Sequence, residues 1–87
     1  MIPTRNAATA WRVIEGEAVI LSLDTKVLRG LNAVGSRVWE LIDGRRRVDE
    51  IVDVIAREFA TERTRVAPDV DAFVQALLDR SLVTVRP

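Results

Sequence analysis

The side chains of this sequence that could do acid–base or ligand chemistry are carboxylates, guanidiniums, amines and hydroxyls. Its 87 residues include 13 Asp and Glu and 13 Lys and Arg, but neither histidine nor cysteine. Without imidazole there is no ordinary general base near neutral pH, and without imidazole or thiolate zinc sites and Ser/His triads are excluded. The lack of cysteine also removes disulfides and thiol nucleophiles. Asp24, Asp69 and Asp71 could in principle hold a hard cation. They fall in different expected elements, however, and lack the glycine-punctuated spacing of a calcium loop, so they read as turn and helix-start residues. Arg45-Arg46-Arg47 could touch phosphate, yet Asp49, Glu50 and Asp53 follow closely and dilute the positive field, so the run reads as a solvated turn. With no glycine-rich phosphate loop either, the sequence gives no basis for an enzyme, a cofactor or a metal site.

The equal numbers of acidic and basic residues remove the long-range field that draws a protein onto nucleic acid or an anionic membrane. The first residues, Met1-Ile2-Pro3-Thr4-Arg5-Asn6, are not followed by an apolar run, and no stretch approaches a membrane span, which sets a cytoplasmic location as the expectation. At 9.7 kDa, with 48% hydrophobic and 30% charged residues, the sequence has the size and mixture of one globular domain over residues 1–87.

Three strands are expected first. Trp11-Arg12-Val13-Ile14 and Ala18 to Leu23 are rich in β-branched and aromatic residues and flank Glu15-Gly16-Glu17, a hairpin signal. Asp24-Thr25 marks a second turn, after which Lys26 to Leu31 returns as a third antiparallel strand. From Asn32 the apolar period changes from 2 to 3.6. Asn32 is a suitable N-cap for a helix over about 33–43, with Gly44 at its C′ position. Gly35 inside that helix points to close packing against the sheet. Val48, Ile51, Val52, Ile55 and Phe59 mark a second helix over about 48–60. Thr61 to Arg65 reads as a polar connector, and a third helix starts near residue 67 with Pro68 in its first turn. Val70, Phe73, Val74, Leu77 and Leu78 trace its apolar face, and Leu82 to Val85 ends the chain as a short strand or extended tail.

Two segments, Gly30 to Gly44 and Val66 to Val83, resemble the signatures of the PqqD-like family, also called RiPP recognition elements. The first joins Leu31-Asn32, Gly35, Val38-Trp39, Leu41 and Gly44 in register, and the likeness extends over roughly residues 11–85. It implies an α+β, winged-helix-like fold, a three-stranded antiparallel sheet followed by a three-helix bundle, which agrees with the element order read from periodicity. It further implies binding of a precursor's leader peptide as a strand added beside the third strand, in a groove shared with the third helix. The chemistry would belong to a separate modifying enzyme, such as a radical enzyme, a protease or a cyclase, and both lasso-peptide and quinone-cofactor pathways fit. Two departures stand out: Arg47 replaces the threonine that caps the second helix in many relatives, and Val27-Leu28-Arg29 replaces an often aromatic third strand.

The peptide-binding residues expected on this basis are Lys26, Val27, Leu28, Arg29, Gly30 and Leu31 on the strand and Val70, Phe73, Val74 and Leu77 on the helix. Period 2 sends Val27, Arg29 and Leu31 to one face and Leu28 and Gly30 to the other, and leaves open which face meets the groove. The helix stripe divides between core and groove in a way its spacing also leaves open. Lys26 and Arg29 either attract acidic leader residues or protect a solvated edge. Two other classes compete with peptide binding. A winged-helix DNA regulator would need cationic side chains on a recognition helix, which the candidate helices lack. A homodimeric adaptor would exploit the apolar character of both faces of the second strand, Ala18 and Ile20 on one and Val19, Leu21 and Leu23 on the other.

Overall fold

The computed structural model describes residues 1–86. Its first hairpin is dictated by two left-handed residues, Glu15 (φ 53°) and Gly16 (φ 81°), the pair a two-residue turn needs to match the twist of its strands. They join β2 (Thr9–Ile14) to β3 (Glu17–Ser22), and β3 pairs on its other side with β4 (Leu28–Gly30), giving an antiparallel sheet of order β2-β3-β4. β4 is shorter than the strand expected from Lys26. Lys26 adopts φ 62° and its N–H donates to Ser22 O, so it closes the turn instead of opening the strand.

An element that the sequence reading did not assign comes first in the chain. β1 (Ile2–Arg5) pairs antiparallel with β5 (Val83–Arg86), making a second, two-stranded sheet. Only long-range pairing makes Ile2-Pro3-Thr4-Arg5 a strand; its own pattern carries little β signal. β1 also tethers the connection between the first two helices, since Gly44 N–H donates to Pro3 O and Thr4 bridges Asp43.

α1 (Ala33–Leu41) starts as expected at Asn32, whose side chain accepts from Gly35 N–H at 2.8 Å. It ends two residues sooner than its apolar period suggests. The Asp43 carboxylate takes the N–H groups of Arg45 and Arg46, turning the chain early, and Gly44 sits at φ 79° with Thr4 Oγ1 3.0 Å from where a Cβ would be. These bonds, led by that from Arg46 N–H, hold the Asp43 pKa below the usual carboxylate value. Arg45-Arg46-Arg47 is thus a structured turn: Arg46 also pairs with Asp43, and Arg47 pairs with Asp49 and Glu50. α2 (Val48–Glu58) has no side-chain acceptor at its N-cap, because arginine has none, but Glu50 reaches back to Arg47 N–H at 2.9 Å.

α3 (Arg63–Asp79) begins four residues before the expected start. The supposed connector residues Arg63, Thr64 and Arg65 form an added first turn, anchored by the Arg63 guanidinium to the Asp53 carboxylate and the Asp49 carbonyl. Pro68 therefore lies inside the helix, where it cannot donate to the carbonyl four residues back. The three helices and β3 enclose one core around Trp39, Ile20, Ile42, Ile51, Ile55 and Val74, closed by Leu82 and Val83. The Arg5 guanidinium lies 4.9 Å from the Trp11 ring, and its Nη1 donates to Trp39 O. Trp11 meets Trp39 edge to face at 6.1 Å, and the buried Trp39 Nε1 has no oxygen acceptor among the described residues. No helix among the described residues is long and apolar enough to cross a membrane.

A single hydroxyl joins sheet and helices. Leu31 N–H donates to Ala18 O, but the reciprocal bond of an antiparallel pair is missing because the chain turns into α1. The buried Ser36 Oγ fills the gap, accepting from Ala18 N–H at 2.6 Å and donating to Leu31 O at 3.3 Å. Ser36→Ala strands both groups and should cost about 1–3 kcal/mol of stability, measured by denaturant unfolding. A loss below the error of that measurement would remove Ser36 from this role.

Candidate functional site

Register settles which face of β4 is which. Ile20 lies opposite Arg29, and Ala18 and Ile20 are fully buried, so Arg29 and Leu31 share the inner, helix-facing side. Leu28 and Gly30 lie opposite Leu21 and Val19 on the outer face. The hydrogen bonds of Leu31 with Ala18 and of Val27 with Ser22 place residues 27, 29 and 31 as the hydrogen-bonded partners of β3. By the same alternation, the N–H and C=O groups of Leu28 and Gly30 point away from β3 toward an edge that no other strand of the described residues covers.

That edge runs into a cleft of about 570 Å³. Gly30, Leu31 and Asn32 form one wall, Val34 and Val38 of α1 and Ile55 and Phe59 from α2 and its end form another, and Val66, Asp69, Val70 and Phe73 of α3 face them. Val34 and Phe59 are 41% and 40% exposed, so the mouth of the cleft presents apolar side chains to solvent. Gly35 lies at a close approach here, though not at the sheet contact expected: an added Cβ would lie 3.2 Å from Phe73 Cζ and 3.1 Å from the capping Asn32 Oδ1. The glycine lets the Phe73 ring lie against α1.

Of the residues expected to bind peptide, Gly30, Leu31, Val70 and Phe73 line this cleft. Leu28 and Arg29 lie along the open edge, while exposed Lys26 and Val27 belong to the turn before it. Val74 and Leu77 are 1% and 4% exposed and lie in the core, outside the cleft lining. Val34, Val38, Phe59 and Val66 escaped the sequence reading. Val34 and Val38 were legible as neighbours on one face of α1, and Val66 lies one turn before Val70, but treating Thr61 to Arg65 as a connector hid that continuity.

Beside the cleft, the Arg37 guanidinium of α1 meets the Glu58 carboxylate of α2 in a two-bonded pair, at 2.8 and 2.9 Å. This pair fixes the end of α2 that carries Phe59. The hydrogen bond from Arg37 holds the Glu58 pKa below the usual carboxylate value, and the bond to Glu58 raises that of Arg37.

A three-stranded sheet with an open edge running onto an apolar cleft between helices defines a small α+β, winged-helix-like scaffold. Residues 17–83 match the model of the coenzyme PQQ synthesis protein D (PqqD) family, and the chain belongs to that family. It is 28% identical over 74 residues to a PqqA binding protein of Rhodopseudomonas palustris (strain BisB5), an alignment covering 85% of this chain but only 64% of that protein's length. Among solved structures it is similar to TbiB1 in complex with the TbiA(beta) leader peptide, with 36% identity, TM-score 0.87 and coverage of 97% of this chain and 98% of that one. A lasso peptide synthetase B1 complexed with the leader peptide shares the fold at 14% identity and TM-score 0.84, over 97% and 99% of the two chains.

Two measurements check this geometry. Gly35→Ala should shift the aromatic proton resonances of Phe73, while stability changes by no more than about 1 kcal/mol, because the helix-propensity gain offsets the crowding. Because Glu58 and Asp43 have lowered pKa values when folded, their contribution is present above the unfolded values and lost as pH falls through the folded ones. Denaturant midpoints should therefore fall on acidification through and below the ordinary carboxylate range, and Glu58→Gln should flatten that fall.

Proposed function

We propose that this chain is a non-catalytic binder of the leader segment of a ribosomally made precursor peptide, taken up as a strand added to β4 and held for a separate modifying enzyme. The observation that carries this reading is the outward main-chain groups of Leu28 and Gly30 at the mouth of an apolar cleft. Strand addition gives affinity through main-chain bonds that any sequence can make, and the cleft gives specificity through the side chains it admits. The likeness to TbiB1 and to the PqqA binding protein supports the same reading. The partner enzyme would be a radical enzyme, a protease or a cyclase, and the setting the cytoplasm, where a ribosomal precursor first meets its modifying enzymes.

A DNA-binding role is disfavoured by the equal numbers of acidic and basic residues, and four of the guanidiniums are already occupied. Arg37, Arg46, Arg47 and Arg63 are engaged by carboxylates of their own chain, so phosphate contact would first have to break those pairs. A homodimer is favoured by one feature, the outer sheet face on which Leu28 is 66% and Ile14 49% exposed. Sedimentation velocity across a concentration series would show it as a rising mean mass.

Leu28→Pro tests strand addition directly. It deletes an N–H aimed at the open edge while leaving the bonds of Arg29 to β3 in place, the position where a sheet tolerates proline. Leader affinity, measured by calorimetry with the TbiA(beta) leader peptide as probe, should fall by at least about 1 kcal/mol, roughly fivefold, with little loss of stability. Unchanged affinity, or peptide-induced amide shifts that avoid Leu28 and Gly30, would reject the edge as the binding site.

A further inference from the structure

Resting on strand addition at β4, we propose that Arg29 selects an acidic residue in the bound peptide, at the position directly across the open edge. Arg29 is half-buried on the inner face of β4, the face that the cleft continues. Its own N–H and C=O point to Ile20 of β3, so toward an antiparallel added strand it occupies a non-hydrogen-bonded position, where facing side chains approach most closely.

Its electrostatic state sets it apart from the other half-buried arginines, Arg5, Arg37 and Arg46. Arg5 donates to the carbonyls of Trp39 and Glu40, and Arg37, Arg46, Arg47 and Arg63 are paired with carboxylates. No hydrogen bond or ion pair among the described residues engages the Arg29 guanidinium. A carboxylate from an added strand would meet this unengaged guanidinium with two parallel bonds. Arg12 lies across from Val19 on the outer face and Lys26 lies in the turn, so neither competes for that carboxylate. Asp69, in the cleft on α3, likewise has no ion-pair partner among the described residues and carries the opposite sign. It repels an acidic residue from the cleft end of the edge, so the charge pattern fixes where along the strand the acid falls, and thereby the register of the peptide.

The experiment is selection of displayed random-sequence peptides on the full chain and on its Arg29→Glu and Arg29→Gln variants, followed by amide mapping of the enriched peptides. The wild-type chain should enrich Asp or Glu at one position fixed relative to the apolar residues of the peptide. Arg29→Glu should replace that preference by Lys or Arg, and Arg29→Gln should abolish it. Replacing the acid by Lys in an enriched peptide should weaken binding to the wild type about two- to tenfold, an effect that shrinks in high salt. If Arg29→Glu does not fold, the neutral variant carries the comparison. Peptides that perturb Leu28 and Gly30 but show no acidic position, or keep it in Arg29→Gln, overturn the role of Arg29 and leave strand addition standing. Failure to enrich any peptide, or enriched peptides that leave those amides unperturbed, overturns both.

Discussion

The structure depends on the point where the sheet hands the chain to the helices. At Leu31 the β3–β4 ladder is half made, and the Ser36 hydroxyl completes it from inside α1, between Ala18 N–H and Leu31 O. One side chain of α1 thus holds the middle strand and the end of the edge strand together. Because β4 is only three residues long and pairs on one side alone, this bridge and the Leu31–Ala18 bond carry much of what keeps it extended. A strand held so lightly would fray without them, and the bare edge would lose its fixed direction.

The cleft follows from the same junction. Asn32 caps α1 immediately after β4, so the start of that helix lies beside the strand's end, and Gly35 lets Phe73 of α3 come against it. The Arg37–Glu58 pair holds the end of α2 nearby, with Phe59 at the mouth. Four elements therefore converge on one apolar space, and main-chain groups of the sheet are offered at its rim. Each of the other half-buried arginines among the described residues, Arg5, Arg37 and Arg46, has an acceptor within the chain, which is why Arg29 is conspicuous. The buried Trp39 Nε1 is the converse case, a donor that finds no acceptor among the described residues.

The sequence by itself determined the hairpin, the change of period at Asn32, the three helices and the lack of imidazole and thiol chemistry, because these rest on local pattern and residue type. Gly16, Asn32 and the apolar spacing of α1 and α2 each act within a few residues, and the structure follows them. What only the tertiary structure decided depended on distant partners. Ile2 to Arg5 becomes a strand because β5 returns alongside it, and Arg63 to Arg65 become helix because α2 supplies Asp53 and the Asp49 carbonyl. Gly35 serves Phe73 across the cleft, where local reasoning pointed to the sheet. Val74 and Leu77 lie in the core while Val70 and Phe73 also reach the cleft, a division that an apolar stripe cannot encode because burial on a helix depends on what packs against each side. The face of β4 was undecidable for the same reason: period 2 separates two sets of side chains, but only the pairing of Ile20 with Arg29 says which set turns inward.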